Sequence, residues 1–107
     1  MVRSATPRDL LAWLAGRRTR FRVRGQSMAP VLPDGTSVLV RAQAPLQDDV
    51  IVARLPDDDH VIVKRVHRVE PDGRLFLRGD GVLTTDSRDY GAVDPDCVIG
   101  VVLSTFP

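Results

Sequence analysis

Lysine is almost absent from this chain. Fourteen of its fifteen basic residues are arginine, and the single lysine is Lys64. One reading is composition bias with one survivor. The other is a need for an amine, which can readily be neutral where a guanidinium cannot. Cysteine is equally scarce: Cys97 stands alone, which excludes an internal disulfide, fits a reducing compartment and reads as a small buried hydrophobe. His60 and His67 have no partners at metal-ligand spacing and read as surface or strand residues, so no metal or cofactor is expected. Long apolar runs are missing too. Leu10 to Ala15 is too short for a signal-peptide core and far short of the ~20 residues that span a bilayer. Cytoplasmic residence without a membrane anchor is the expectation. Fifteen basic against fourteen acidic residues leave a net charge of +1, which weighs against a dedicated binder of nucleic acid or anionic membrane.

What is present suffices for one domain with its own core: 107 residues, 43% of them hydrophobic. Residues 1–19 form a helical and basic segment. Thr6 can cap the helix, Pro7 suits its first turn and Asp9 its positive end, while Gly16 with Arg17 and Arg18 makes a stop. Leu10, Leu11, Trp13 and Leu14 are its expected apolar face. Seven arginines in the first 24 residues face one acid, Asp9. They read either as a solvated helix end leading into an exposed strand or as a footprint for an acidic partner.

From residue 20 to 107 the chain reads as β. Arg20 to Arg24, Thr36 to Arg41, Asp49 to Leu55, His60 to Glu70, Arg74 to Arg78 and Cys97 to Ser104 have strand composition. Pro33-Asp34-Gly35, Pro56-Asp57-Asp58-Asp59 and Pro71-Asp72-Gly73 supply turns, the last two closing a three-stranded meander over 49–78. The fold class is mostly β, a single compact domain with a short N-terminal helix and a longer loop from Gly79 to Asp96.

Three segments could carry chemistry. Gly25-Gln26-Ser27-Met28-Ala29-Pro30 places a serine on a loop that proline keeps irregular; alone, it is an ordinary turn serine. In Val61 to Val66, strand alternation puts Lys64 on one face with Ile62 and Val66. An amine there either snorkels at an edge or is partly desolvated, and desolvation lowers its pKa as a general base requires. Gly79-Asp80-Gly81 followed by Thr84-Thr85-Asp86-Ser87-Arg88-Asp89 offers a tight turn, hydroxyls and an Asp–Arg pair. Its plain reading is a polar loop tied down by that pair.

The order Ser-Met-x-Pro, then an isolated lysine on a strand, then Gly-Asp and Asp-Ser-Arg, resembles the Ser/Lys peptidases of the type I signal peptidase and LexA-like group. Ser27-Met28-Ala29-Pro30 matches the nucleophile box, Val63-Lys64-Arg65 the base box, and Gly79-Asp80 with Asp86-Ser87-Arg88 the third. Residues 20–107 would then be the catalytic core, built of coiled antiparallel sheets. The resemblance implies that Ser27 is the nucleophile and Lys64 the general base, with the Ser27 N–H as an oxyanion donor. Thr84, or Thr85 in its place, would bond the amine, and Asp80, Asp86 and Arg88 would support the site. Gln26, Met28 and Ile62 would touch a substrate laid down as an extended strand. Two positions depart from the pattern: Gly25 stands where many members carry a hydroxyl as second oxyanion donor, and Gly81 replaces a common asparagine.

Among these families the chain looks like the small soluble maturation proteases of nickel-type superoxide dismutase, which remove a short N-terminal leader from a protein precursor. The alternatives are a self-processing LexA-like regulatory domain and a non-catalytic peptide-binding module on the same fold. Ala15-Gly16 is the dipeptide LexA-like proteins cut, but it lies only eleven residues before Ser27, and Met1 leaves no room for a DNA-binding domain.

Overall fold

A computed structural model describes residues 2–25, 27–29, 31–55, 61–81 and 84–106. Its elements, in order, are β1 (Arg3–Ser4), α1 (Pro7–Leu14), β2 (Thr19–Arg22), β3 (Ser37–Arg41), β4 (Val50–Arg54), β5 (Val61–Val69), β6 (Leu75–Arg78), α2 (Ser87–Tyr90) and β7 (Val98–Thr105). The strands form one seven-stranded sheet in the order β2-β3-β7-β4-β5-β6, with β1 added to β7. Every pairing is antiparallel except β1 with β7. The expected mostly β class and the β4-β5-β6 meander are what the sheet contains.

Central β4 explains why its sequence is an unbroken apolar run: it has neighbours on both edges and buried faces on both sides. Val50 and Val52 enter one cluster with Met28, Leu32, Val38 and Val63. Ile51 and Ala53 enter a second with Val66, Leu75, Leu77 and Val101. Strand alternation thus sends successive residues into two separate cores.

The start of α1 follows its sequence. The Thr6 hydroxyl accepts from the Asp9 N–H, and the Asp9 carboxylate accepts from the Thr6 N–H, a capping box with Pro7 in the first turn. At the other end Gly16 adopts a φ of +78°, a conformation that suits glycine. Gly16 and Arg17 donate back to the Trp13 and Ala12 carbonyls, closing the helix as the Gly16 stop anticipated.

The buried face of α1 is another matter. Leu11 and Leu14 are 64% and 74% exposed, while Asp9 and Ala12 are buried. Two tertiary contacts turn the helix. Arg3 pairs with Asp9, and Trp13 meets Phe106 edge-on with ring centroids 4.9 Å apart. Asp9, Ala12 and Trp13 follow the i, i+3, i+4 spacing of one face, which leaves Leu11 and Leu14 on the opposite side.

The expected loop from Gly79 to Asp96 is also more ordered than anticipated. It contains α2, capped by Asp86, and a short 3-10 turn over Pro95–Cys97 capped by Asp94. Of the predicted turns, Pro33-Asp34-Gly35 and Pro71-Asp72-Gly73 are present, each with its glycine at positive φ. Pro56 to Asp59 and His60 lie outside the described residues. Among the described residues, no helix is long and apolar enough to cross a membrane.

Candidate active site

Lys64 pairs directly with Ile51 across the β4–β5 ladder, and its neighbour Val63 pairs with Val52. Because Ile51 belongs to the second core, the lysine points into that apolar face, between Ile62 and Val66. It is 6% exposed. Burial pushes its amine pKa down; Asp86 pulls it up, Arg88 pushes it down and Asp89 pulls it up, and the net direction is down. Among the described residues the amine has no ion pair within 4.0 Å. A lysine held this way sheds its proton more readily than one on the surface.

The loop carrying Ser27 is fastened at several points. The Gly81 N–H donates to the Ser27 carbonyl at 2.7 Å, and the Leu32 N–H donates to the Met28 carbonyl. Asp34 accepts from the Gly25 N–H at 2.8 Å. Gly79 lies so close that a Cβ there would stand 2.5 Å from the Ser27 carbonyl oxygen and 2.6 Å from Thr84 Cγ2. A side chain would therefore force the turn and the Ser27 loop apart. Ser27 itself is half-buried, and its N–H has no acceptor among the described residues.

The Met28 side chain is fully buried in the first core, in one cluster with Val23 and Leu32, so it anchors the loop from within. Ile62 is half-buried beside the second core, on the face that carries Lys64. Gln26 lies outside the described residues.

The third segment surrounds one carboxylate. Asp86 is wholly buried. Its two oxygens accept from Arg88 Nε and Nη2 at 2.9 and 2.8 Å, the Arg88 N–H at 3.0 Å, the Gly79 N–H at 3.1 Å and the Thr84 hydroxyl at 2.6 Å. The Arg88 guanidinium is the largest influence holding this carboxyl well below the usual carboxylate range, with Thr84 and the backbone N–H groups adding to it against burial. The anion thus stays ionised inside the fold and fixes the Gly79 turn to α2. Thr84 gives its only proton to Asp86 and accepts from Arg88 Nη2 at 3.0 Å, so toward an amine its oxygen can only accept. Thr85 is exposed.

Asp80 is held by a residue of β5. Arg65 donates to it in a two-point clamp, Nε at 2.9 Å and Nη2 at 2.8 Å, and its Nη1 reaches the Asp48 carbonyl. Arg65 follows Lys64 in sequence, so this fork ties the lysine strand to the turn that holds Ser27. Sequence reasoning placed Arg65 beside the lysine but gave it no partner. Ser87 was also missed as an anchor: its buried hydroxyl accepts from the Leu77 N–H at 2.8 Å and holds α2 onto β6.

The other titratable candidates are His67, which shares a cavity wall with Arg65, Gly79 and Asp80, and Cys97. His67 is exposed on β5, its ring 6.1 Å from that of Phe76. Cys97 is half-buried, and burial followed by Asp94 and Asp96 raises its thiol pKa, which disfavours the reactive thiolate.

No curated protein matches the chain. A family model described as Peptidase S24-like matches residues 12–80, more than half of its length. The match spans the Ser27 loop, β5 with Lys64 and the Gly79-Asp80 turn, and stops before the Asp86 bracket. On that match, the chain belongs to the Peptidase S24-like family.

Proposed function

We propose that the protein is a serine endopeptidase in which Ser27 is the nucleophile and Lys64 its general base. The observation that carries this reading is the burial of the only lysine, without a described ion-pair partner, on a strand clamped to the turn that holds the Ser27 loop. Its lowered pKa supplies the unprotonated amine that the chemistry needs. In the first step Ser27 Oγ attacks the scissile carbonyl carbon and its proton passes to Lys64 Nζ. The Ser27 N–H donates to the oxyanion. Collapse breaks the C–N bond, and Lys64 returns the proton to the departing amine. A water then attacks the acyl-enzyme with Lys64 again as base. Asp86, Arg88 and Thr84 act by fixing the polar wall beside the amine.

The substrate in this proposal is an N-terminal leader on a protein precursor, presented as an extended strand near Ile62, in the cytoplasm. Nickel-type superoxide dismutase precursor is the proposed protein, by analogy with the family resemblance in the three boxes. Mass spectrometry of a leader-bearing precursor before and after incubation is the test. Loss of the leader with the wild type and none with Ser27→Ala is expected; equal trimming by both would refute the dyad.

Self-cleavage at Ala15-Gly16 fits the structure poorly. Ala15 caps α1, and Gly16 closes the turn at positive φ, whereas proteases take their substrates as extended strands.

A further inference from the structure

The net charge of +1 averages over two unlike parts. Residues 1–24 hold seven arginines against Asp9, while residues 25–107 hold eight basic and thirteen acidic residues. Within the basic part, Asp9 is already taken by Arg3. Arg8, Arg17, Arg18, Arg20, Arg22 and Arg24 make no ion pair among the described residues, and all but half-buried Arg18 are exposed.

Three of these arginines lie on α1 or directly after its cap. Arg8 lies on the helix, and Arg17 and Arg18 follow its cap. Arg20 lies on the inner side instead: its guanidinium is 4.4 Å from the centre of the Phe106 ring, which meets Trp13 of α1 edge-on. Leu11 and Leu14, the two most exposed large apolar residues of this segment, stand at i, i+3 on the side of the helix turned away from Trp13 and Ala12.

We propose that this outer face of α1, with Leu11 and Leu14 as apolar anchors and Arg8, Arg17 and Arg18 as its charged rim, docks reversibly on an anionic lipid surface. A protruding apolar pair with a basic surround is the pattern of a helix lying in a membrane interface. The leucines enter the acyl boundary while the arginines remain at the headgroups. Other occupants fit less well. A second copy meeting this face symmetrically would oppose arginine to arginine. Nucleic acid would satisfy the arginines but leave both leucines in water. A soluble acidic protein would need a preformed apolar recess, whereas a lipid surface deforms around projecting side chains.

The experiment is co-sedimentation of the full chain with vesicles of phosphatidylcholine alone or with about one-third phosphatidylglycerol, where each surface arginine contributes about fivefold to partitioning. Binding is expected to the phosphatidylglycerol vesicles only, and to fall steeply as salt shortens the Debye length from about 10 Å at 0.1 M to about 3 Å at 1 M. Leu11→Ala with Leu14→Ala should weaken binding about tenfold or more. Arg8→Gln with Arg17→Gln should weaken it by about twentyfold or more. Both pairs are surface changes, and circular dichroism with thermal melting checks that each variant keeps the wild-type fold. Absence of binding to the anionic vesicles overturns the proposal. So does equal binding to neutral vesicles, or binding insensitive to the leucine pair, as a polyanion or acidic protein partner would give. The readout is vesicle association, so it stands or falls separately from peptide cleavage.

Discussion

Asp9 and Asp86 are buried by closely similar chemistry, yet only one of them stands beside a lysine. Each takes a two-point contact from an arginine, a hydroxyl proton from a threonine and a backbone N–H at a helix start. In both cases the arginine is the leading cause that holds the carboxyl well below the ordinary carboxylate range. The Asp9 bracket seats α1 near the β1 end of the sheet. The Asp86 bracket seats α2 and also faces Lys64: burial is the largest influence and lowers the amine pKa, Asp86 pulls it up and Arg88 pushes it down. A buried Asp–Arg–Thr bracket is therefore a structural device that this chain uses twice. What makes the second one a candidate catalytic wall is the buried amine beside it.

Substitutions can break that comparison, and the largest effect belongs to the proposed dyad. Ser27→Ala and Lys64→Arg should each lower peptide hydrolysis by roughly a thousandfold or more in a cleavage assay, because nucleophile or neutral base is gone. Lys64→Met should be equally inactive but melt at a higher temperature. The buried ammonium is disfavoured in the folded state at neutral pH, so wild-type stability should rise with pH from the lowered lysine value up to the unfolded value near 10.4, and the methionine variant should lose that dependence.

Next in size is the asymmetry between the two brackets. Asp86→Ala should destabilise by about 3 kcal/mol or more in denaturant melts, since it strips five hydrogen bonds from a wholly buried site. It should also reduce activity in whatever fraction stays folded. Asp9→Ala should cost about 1–2 kcal/mol, the scale of a lost helix cap, and leave activity unchanged. Equal activity losses in the two variants would erase the distinction between them.

Acid should weaken both brackets alike. Each carboxyl is depressed in the folded state, so its stabilisation is whole above the unfolded value near 4 and is lost as pH falls below it. Melting temperature should therefore drop below about pH 4, and less steeply in either aspartate variant. Gly79→Ala makes a smaller structural change that probes only the second region. Its methyl collides with the Ser27 carbonyl and Thr84, so a loss of about 1–3 kcal/mol with impaired cleavage is expected. The smallest effect should come from His67→Gln: the ring is exposed, and both activity and its pH profile should stay as they were.

The features legible in the sequence were those set by local rules. Thr6, Pro7 and Asp9 announced the start of α1, and strand alternation placed Lys64 on the face of Ile62 and Val66 before any contact was known. Features set by distant partners were not legible. The roll of α1 depends on Arg3 and Phe106, which no helical periodicity contains. The Arg65–Asp80 clamp depends on the β5–β6 register, which shifts between Val66 and Arg68. The sequence placed Met28 on an irregular loop without showing that its side chain turns inward, and that inward packing is how the loop is held. Asp86 was visible as an Asp–Arg pair, while its bonds to Gly79 and Thr84 emerged only once the turn closed over them.

The most direct measurement of the dyad is the rate at which a serine-acylating reagent labels Ser27, followed by intact mass across pH. The account predicts a single label on Ser27, a rate that climbs with pH through the lowered Lys64 value, and no labelling of folded Lys64→Arg at any pH tested. Labelling of Lys64→Arg at the wild-type rate, or a rate that ignores pH, would contradict it.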